Sequence, residues 1–289
     1  MTHRKLHKKL IGILIPAVII LFSYYVLPYL NSSFGSTDTD GLPIKVYFID
    51  VGQGDASLID VEGKFVMIDG GTDDSADDTI AFITSLGVTR LDCVVATHPH
   101  EDHIGGLDDI INEFPTAKAY ISQGETTTRA FENLLSALEN SDVETVSAGD
   151  VFKIGKAKFE VFAPEDKEYS ELNNYSVCLK MTYGSKSFLF TGDAEKLSEN
   201  EMLASGFNLN SDVLKVGHHG SETSTSDKFL KAVSPEFSVV SVGRNSYGLP
   251  DESVIDRLEV CSKLYRTDLN GNIAVTTDGK TLEVKCDYN

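Results

Sequence analysis

The segment His98-Pro99-His100-Glu101-Asp102-His103 places three imidazoles beside Asp102 within six residues. Neutral imidazole and carboxylate are the donors that borderline divalent ions such as Zn²⁺ favour. Five of the seven histidines fall in this segment or in His218-His219, and the other two lie in a basic N-terminal tail. In an extended segment alternate side chains point the same way, so His98 and His100 can converge on one ion. Asp102 and His103 follow at a loop-to-helix transition and turn toward a second position. Gly105 and Gly106 let the backbone pass close to that centre. The plain alternative is three surface histidines without a ligand role, and the HxHxDH spacing argues against it.

Two later segments supply further donors. Ser187 to Thr191 is a short apolar run that ends at Gly192-Asp193-Ala194-Glu195. A carboxylate at that strand end can bridge two cations, or it can cap a helix beginning near Glu195. Asp212 to Gly217 leads into His218-His219-Gly220-Ser221, either ligands or a hydrogen-bonded structural pair. The elements that must position these groups are strands. Leu91 to Thr97 (LDCVVAT) reads as a buried strand, so all three donor sets sit where a strand ends and a loop begins, the usual place for sites in α/β sheets.

These motifs, behind Phe48-Ile49-Asp50-Val51-Gly52-Gln53-Gly54-Asp55 and Ile68-Asp69-Gly70-Gly71, resemble those of the metallo-β-lactamase superfamily. More narrowly they resemble its ComEC-like branch, the hydrolase domain of competence DNA-uptake proteins and stand-alone relatives. The resemblance runs from about Ile44 to the C-terminus, through Asn173-Asn174-Tyr175-Ser176, Asn245-Ser246-Tyr247-Gly248 and Tyr265-Arg266-Thr267-Asp268. It implies an α/β fold, an αββα sandwich with metals at one edge. It also implies two divalent ions, Zn²⁺ or alternatively Mn²⁺. His98 and His100 would hold the first, with Asp102, His103 and one of the 218–219 pair on the second and Asp193 bridging. His219, next to Gly220-Ser221, is the favoured ligand and His218 would face the substrate, although the reverse assignment stays open. Asp55 and Asp69 would brace ligating imidazoles. Asp102 or Asp193 would take a proton from the attacking water, and His218 would assist the leaving group.

The implied activity is metal-dependent hydrolysis of a phosphodiester, with DNA first. A phosphorylcholine esterase acting on a cell-surface ester is the alternative, and a non-catalytic binding module the rival class. Two departures from the superfamily pattern bear on this. No histidine lies between His103 and His218, so the third histidine of the first site in true β-lactamases is absent. Asn173 or Asn174 falls in that interval, where an amide can hydrogen-bond a phosphoryl oxygen. Leu249 stands where many relatives carry histidine.

Leu10 to Leu30 is 21 residues without a charge, enough to span a bilayer core. Arg4, Lys5, Lys8 and Lys9 precede it, so the positive-inside rule keeps residues 1–9 cytoplasmic and puts the rest outside the cell. A cleaved signal peptide competes with this uncleaved anchor, but its apolar region would be shorter and no Ala-x-Ala follows. Residues 31–42 read as a polar linker and 43–289 as one hydrolase domain.

The net charge is −19, and without the tail 21 basic residues face 44 acidic ones. That argues against a tight, processive nucleic-acid binder, but does not exclude a nuclease whose cations meet the phosphate. Lys215, Arg244 and Arg266 are the candidate phosphate contacts. Cys93 and Cys178 sit in apolar strand patterns as buried thiols, while Cys261 and Cys286 could pair. Gly52-Gln53-Gly54 lacks the continuation of a nucleotide-binding loop, so no nucleotide cofactor is expected.

The predicted strands are 44–51, 55–61, 64–69, 91–97, 118–122, 151–162, 175–183, 186–191, 211–216, 237–242 and 272–286. The predicted helices are 76–86, 104–114, 127–140, 195–204, 225–233 and 251–261.

Overall fold

Alternation of apolar side chains across each strand decides the layering. In β1 (Ile44–Phe48), Val46 and Phe48 face one way and Tyr47 the other, yet all three are buried. A strand buried on both faces must be covered on both. The computed structural model describes residues 44–288 and meets this demand with two sheets packed face to face and helices outside each. Residues 1–43, including the predicted anchor at 10–30 and the linker, lie outside the described residues. Among the described residues no helix is long and apolar enough to cross a membrane.

The first half adds β2 (Ala56–Val61), β3 (Lys64–Gly70), β4 (Cys93–Ala96), β5 (Lys118–Ile121) and β6 (Asp142–Thr145). The second half contributes β7 (Val151–Ile154), β8 (Ala157–Ala163), β9 (Cys178–Tyr183), β10 (Lys186–Phe190), β11 (Val213–Lys215), β12 (Phe237–Val240), β13 (Lys263–Arg266), β14 (Ile273–Thr277) and β15 (Leu282–Cys286). One sheet runs β15-β14-β1-β2-β3-β4-β5-β6 and the other β13-β12-β11-β10-β9-β8-β7. Strands β3 to β6 are parallel, as are β10 to β13. Val46, Phe48, Ile68 and Val95 of the first sheet meet Phe159, Leu179, Phe188 and Phe190 of the second.

On the outer face of the first sheet, Leu58, Met67 and Val94 pack on α1 (Ala76–Ser85), α3 (Leu107–Glu113) and α4 (Arg129–Ala137), through Ile83, Ile110 and Leu134. The short α2 (Glu101–Ile104) precedes α3. On the second sheet, Leu189, Leu214 and Val240 pack on α5 (Lys196–Ala204), α6 (Asp227–Val233) and α7 (Glu252–Cys261), through Met202, Phe229 and Leu258. A one-turn helix, α8 (Thr267–Asn270), follows β13. The αββα sandwich is therefore present.

Several predicted elements differ in detail. The stretch 151–162 is a hairpin, because Gly155 turns the chain at positive φ. The stretch 272–286 is also a hairpin, where Asp278 Oδ1 accepts the N–H groups of Lys280 and Thr281 around Gly279. The helix predicted at 104–114 is α2 and α3, broken at Gly106, where a Cβ would lie 2.6 Å from the Gly70 carbonyl oxygen. Strand β6 was not predicted, since Asp-Val-Glu-Thr has no apolar period and all four residues are exposed. The possible Cys261–Cys286 pair is absent: all four cysteines are free, with Cys93 and Cys178 buried.

Candidate metal centre

Every candidate donor lies just past the C-terminal end of a parallel strand, where adjacent loops converge. β4 delivers Thr97 and the His98–His103 segment, β10 delivers Asp193, and β11 delivers His218 and His219. Asp69, near the end of β3, has φ +56, and His218 and His219 have φ +50 and +52. Left-handed backbone at such residues costs about 1–3 kcal/mol each and persists where surroundings hold it. Here the surroundings are the side-chain contacts themselves.

Asp69 Oδ1 accepts the Thr97 N–H at 2.8 Å, and Oδ2 accepts the Thr97 hydroxyl at 2.7 Å. The same Oδ2 lies 2.7 Å from His103 Nδ1. His219 Nδ1 lies 2.9 Å from the Ser241 carbonyl oxygen. With both Nδ1 atoms held by acceptors, both Nε2 atoms are left as donors to a metal. They converge: His103 Nε2 is 3.1 Å from Asp193 Oδ1, and His219 Nε2 is 3.6 Å from that oxygen and 3.2 Å from Asp102 Oδ2.

Yet His103 Nε2, His219 Nε2 and Asp193 Oδ1 are buried and make no hydrogen bond. Orphaned buried polar atoms cost about 1–3 kcal/mol apiece. Three of them aimed at one point fit a cation, since donors about 2.0–2.1 Å from a tetrahedral metal stand roughly 3.3–3.4 Å apart. Asp102, His103, Asp193 and His219 thus form one donor group.

The second group is His98, His100 and the other oxygen of Asp193. His98 Nε2 lies 3.7 Å from Asp193 Oδ2 and 3.0 Å from His100 Nδ1. His218 Nε2 is also 3.7 Å from Asp193 Oδ2, with its Nδ1 on Thr223 Oγ1 at 3.0 Å. Asp193 therefore does not cap a helix; α5 starts after Glu195, and the Asp193 carboxylate divides its oxygens between the two groups. Gly192 allows this turn at φ +49, where a Cβ would meet Ser176 and Thr97 at 3.0–3.1 Å.

The charges in this cluster are set by burial and by each other. Burial would push His103 down, but Asp193 and Asp69 outweigh it and hold its pKa well above the ordinary value. His219 is raised in the same way against burial, by Asp193 and Asp102. Burial and the neighbouring His103 charge push His98 well below its ordinary value. Burial would raise Asp193 and Asp102, yet contacts with His103 and His219 hold both well below the carboxylate range. Asp69 moves up because burial dominates there.

Of the predicted bracing residues, Asp69 holds His103 directly. Asp55 sits 2.6 Å from Lys215 Nζ, and only 3.9 and 3.7 Å from the Nδ1 atoms of His103 and His219. Lys215 is 3% exposed, so the expectation that it contacts a phosphate is wrong: its ammonium neutralises Asp55 beneath the cluster. Arg266 is likewise held by Asp268 at 2.7 Å.

The predicted asparagines do not enter the cavity either. Asn173 and Asn174 each point an amide nitrogen at Glu195, 3.3 Å away, and Asn174 Oδ1 accepts the Ser198 hydroxyl. Ser221 does reach the cavity wall, with its hydroxyl 3.1 Å from Thr223 Oγ1. That open cavity has a volume of about 810 Å³, and His100, Asp102, Asp193, His218 and His219 line it.

Two participants escaped sequence reasoning. Thr97 ties Asp69 to His98, with Oγ1 3.2 Å from His98 Nδ1; its position directly before the histidine run was the available signal. Glu195 lies 3.7 Å from His218 Nδ1 and was read only as a helix start.

Comparison with known proteins agrees with this geometry. The profile of the family described as "Metallo-beta-lactamase superfamily" matches residues 49–244. ComE operon protein 3 of Bacillus subtilis is 32% identical over 276 residues, covering 88% of this chain and 34% of that protein. Competence protein ComA of Neisseria gonorrhoeae is 34% identical over 226 residues, covering 77% of this chain and 30% of that one. The chain thus spans about a third of the length of these curated relatives. Among solved structures, the metallo-beta-lactamase fold protein YhfI from Bacillus subtilis superposes with a TM-score of 0.52 at 13% identity, over 78% of this chain and 98% of that one. At that identity the likeness concerns the fold.

Proposed function

We infer, for a chain that belongs to the metallo-β-lactamase superfamily and is a metal-dependent hydrolase with competence-protein relatives, that the substrate is a phosphodiester, and specifically DNA. The observation that carries this reading is the division of Asp193 between two donor groups, Oδ1 facing His103 and His219 and Oδ2 facing His98 and His218. A pair of divalent cations held there, Zn²⁺ or alternatively Mn²⁺, would supply Lewis acidity, a water of lowered pKa, and charge for both entering and leaving oxygens.

The chain's own groups do the rest. Asp102 and Asp193, held ionised well below the ordinary carboxylate range, stay anionic ligands at neutral pH and are weak bases. His218 is the partly open member of its pair, with 23% of its side chain exposed, and it lines the cavity. Thr223 Oγ1 lies 3.0 Å from its Nδ1; with that hydroxyl donating to Nδ1, the Nε2–H would be the proton passed to a departing alkoxide. Asp69 and Thr97 fix the ring of His103.

The uncharged stretch 10–30 behind a basic tail supports a single-pass anchor with the hydrolase domain outside the cell. Protease added to intact cells should reach the domain, and a shortened soluble form in the medium would overturn the anchor.

The activity is tested by offering the Zn²⁺- or Mn²⁺-loaded domain single-stranded DNA, plasmid DNA, bis-p-nitrophenyl phosphate, p-nitrophenyl phosphorylcholine and a chromogenic cephalosporin. Cleavage of DNA and the simple diester, abolished by Asp102→Ala, is expected. Turnover of the cephalosporin alone would overturn the reading. Intact DNA with a cleaved phosphorylcholine ester would make the protein a cell-surface esterase instead.

A further inference from the structure

One loop at the cavity rim is rigid, yet it exposes side chains that have no work inside the fold. Residues Gly243 to Pro250 follow β12, and Asn245 ties them together. Its Nδ2 donates to Gly243 O at 2.9 Å, Leu249 O at 2.8 Å and Gln53 Oε1 at 3.2 Å, and its Oδ1 accepts the N–H groups of Tyr247 and Leu249 at 3.0 and 3.1 Å. Gly243 presses on Gly52, where a Cβ would sit 2.5 Å from the Gly52 Cα. That contact leaves no room for a side chain at Gly243, whereas Gly52 is set by its own φ of +73.

On this fixed loop Tyr247 is 78% exposed and Arg244 is exposed, and both line the cavity that holds His100, Asp102 and His218. Among the described residues Arg244 makes no ion pair or hydrogen bond. It is also the one Lys or Arg among the cavity-lining residues, in a chain of net charge −19. The other two candidate cations, Lys215 and Arg266, are neutralised by Asp55 and Asp268.

We propose that Tyr247 and Arg244 form a nucleotide clamp, in which the Tyr247 ring stacks on an unpaired base flanking the scissile phosphodiester while Arg244 takes a neighbouring phosphate. The proposal rests on the phosphodiesterase reading and narrows it to single strands or frayed ends, since a paired base offers no free face. An aromatic ring held by a stiff loop loses little freedom on stacking, and base–aromatic contact tolerates any sequence. A lone cation near an anionic wall gives phosphate contact without tight, processive binding.

The test is stopped-flow fluorescence anisotropy with the metal-loaded protein, which reads binding before turnover. The probes are labelled hexathymidylate and an abasic hexamer with the same phosphates. Wild type should bind the thymidylate about tenfold more tightly. Tyr247→Ala should erase that preference and Tyr247→Phe should keep it, a ratio that general loosening of the loop would not move. Arg244→Ala should weaken both probes alike and lower the log–log salt slope by about 0.7. Equal or undetectable binding of the two probes by wild type, or a preference that survives Tyr247→Ala, overturns the clamp. A protein that shows the preference but leaves DNA uncut keeps the clamp and refutes the nuclease reading; one that cuts DNA without preference refutes the clamp alone.

Discussion

Around Asp193 Oδ1, His103 and His219 are essentially buried, and each has its Nδ1 fixed by an acceptor, the Asp69 carboxylate or the Ser241 carbonyl. Around Asp193 Oδ2, His98 has only the Thr97 hydroxyl behind it, and His100 lies on the cavity wall with its Nδ1 against His98. The donor set differs too. The first environment offers Asp102, His103 and His219 besides Asp193, and the second offers His98 and His100, with His218 nearby. Bracing raises ligand basicity and fixes ring orientation. On that ground an ion on the Oδ1 side would be held more tightly than one on the Oδ2 side, which faces the open cavity.

Removing what the two environments share should have the largest effect. Asp193→Ala deletes one donor from each group and leaves His103, His219 and His98 without their main counter-charge. Metal content by elemental analysis should fall below one ion per chain. Hydrolysis of bis-p-nitrophenyl phosphate should drop by at least ~10³-fold in kcat/KM, about 4 kcal/mol of transition-state stabilisation. Retention of two ions would show that Asp193 is not the bridge.

A smaller and more selective effect separates the two sides. Asp69→Asn keeps a side chain that tolerates the left-handed backbone of this position, but replaces the acceptor facing His103 Nδ1 with a neutral amide. Affinity for the tighter ion should fall about 10–100-fold, with the weaker event unchanged in a calorimetric titration. His100→Ala should do the reverse, abolishing the weaker event and sparing the tighter one. Equal damage to both events from either substitution would collapse the distinction.

How much of this was visible beforehand follows from chain distance. The six-residue run at 98–103 exposed its chemistry because its donors are contiguous, and the apolar strands before Asp193 and His218 located the rest. Superfamily resemblance then supplied the sandwich and the allocation of ligands. Relations that join distant segments carried no such signal. Lys215 pairs with Asp55 across the two halves of the chain, so a cation expected at the phosphate became a buried counter-ion. Asn173 and Asn174 likewise turned toward Glu195, a partner that no local pattern announced. β6 escaped because an exposed edge strand has no apolar face to betray it.

The subtlest difference is in protons. In the metal-free cluster Asp193 and Asp69 overcome burial and raise the pKa of His103 well above its ordinary value, and Asp193 and Asp102 raise that of His219, so both rings hold their protons more firmly. His98 is instead held neutral by burial and by the charge on His103. A metal entering the Oδ1 side must expel those protons, because imidazole ligates only when neutral; one entering the Oδ2 side displaces none from His98. Raising the pH deprotonates His103 and His219 in the free site, so tighter binding on that side should strengthen with pH and weaken as pH falls. The expected slope is about tenfold per pH unit for each proton displaced. Calorimetric titration in two buffers of different ionisation enthalpy counts the protons for each event directly. Release confined to the tighter event would sharpen the assignment. Equal release from both events would mean that the two sides of Asp193 share one proton reservoir, and the contrast between them would then be one of exposure alone.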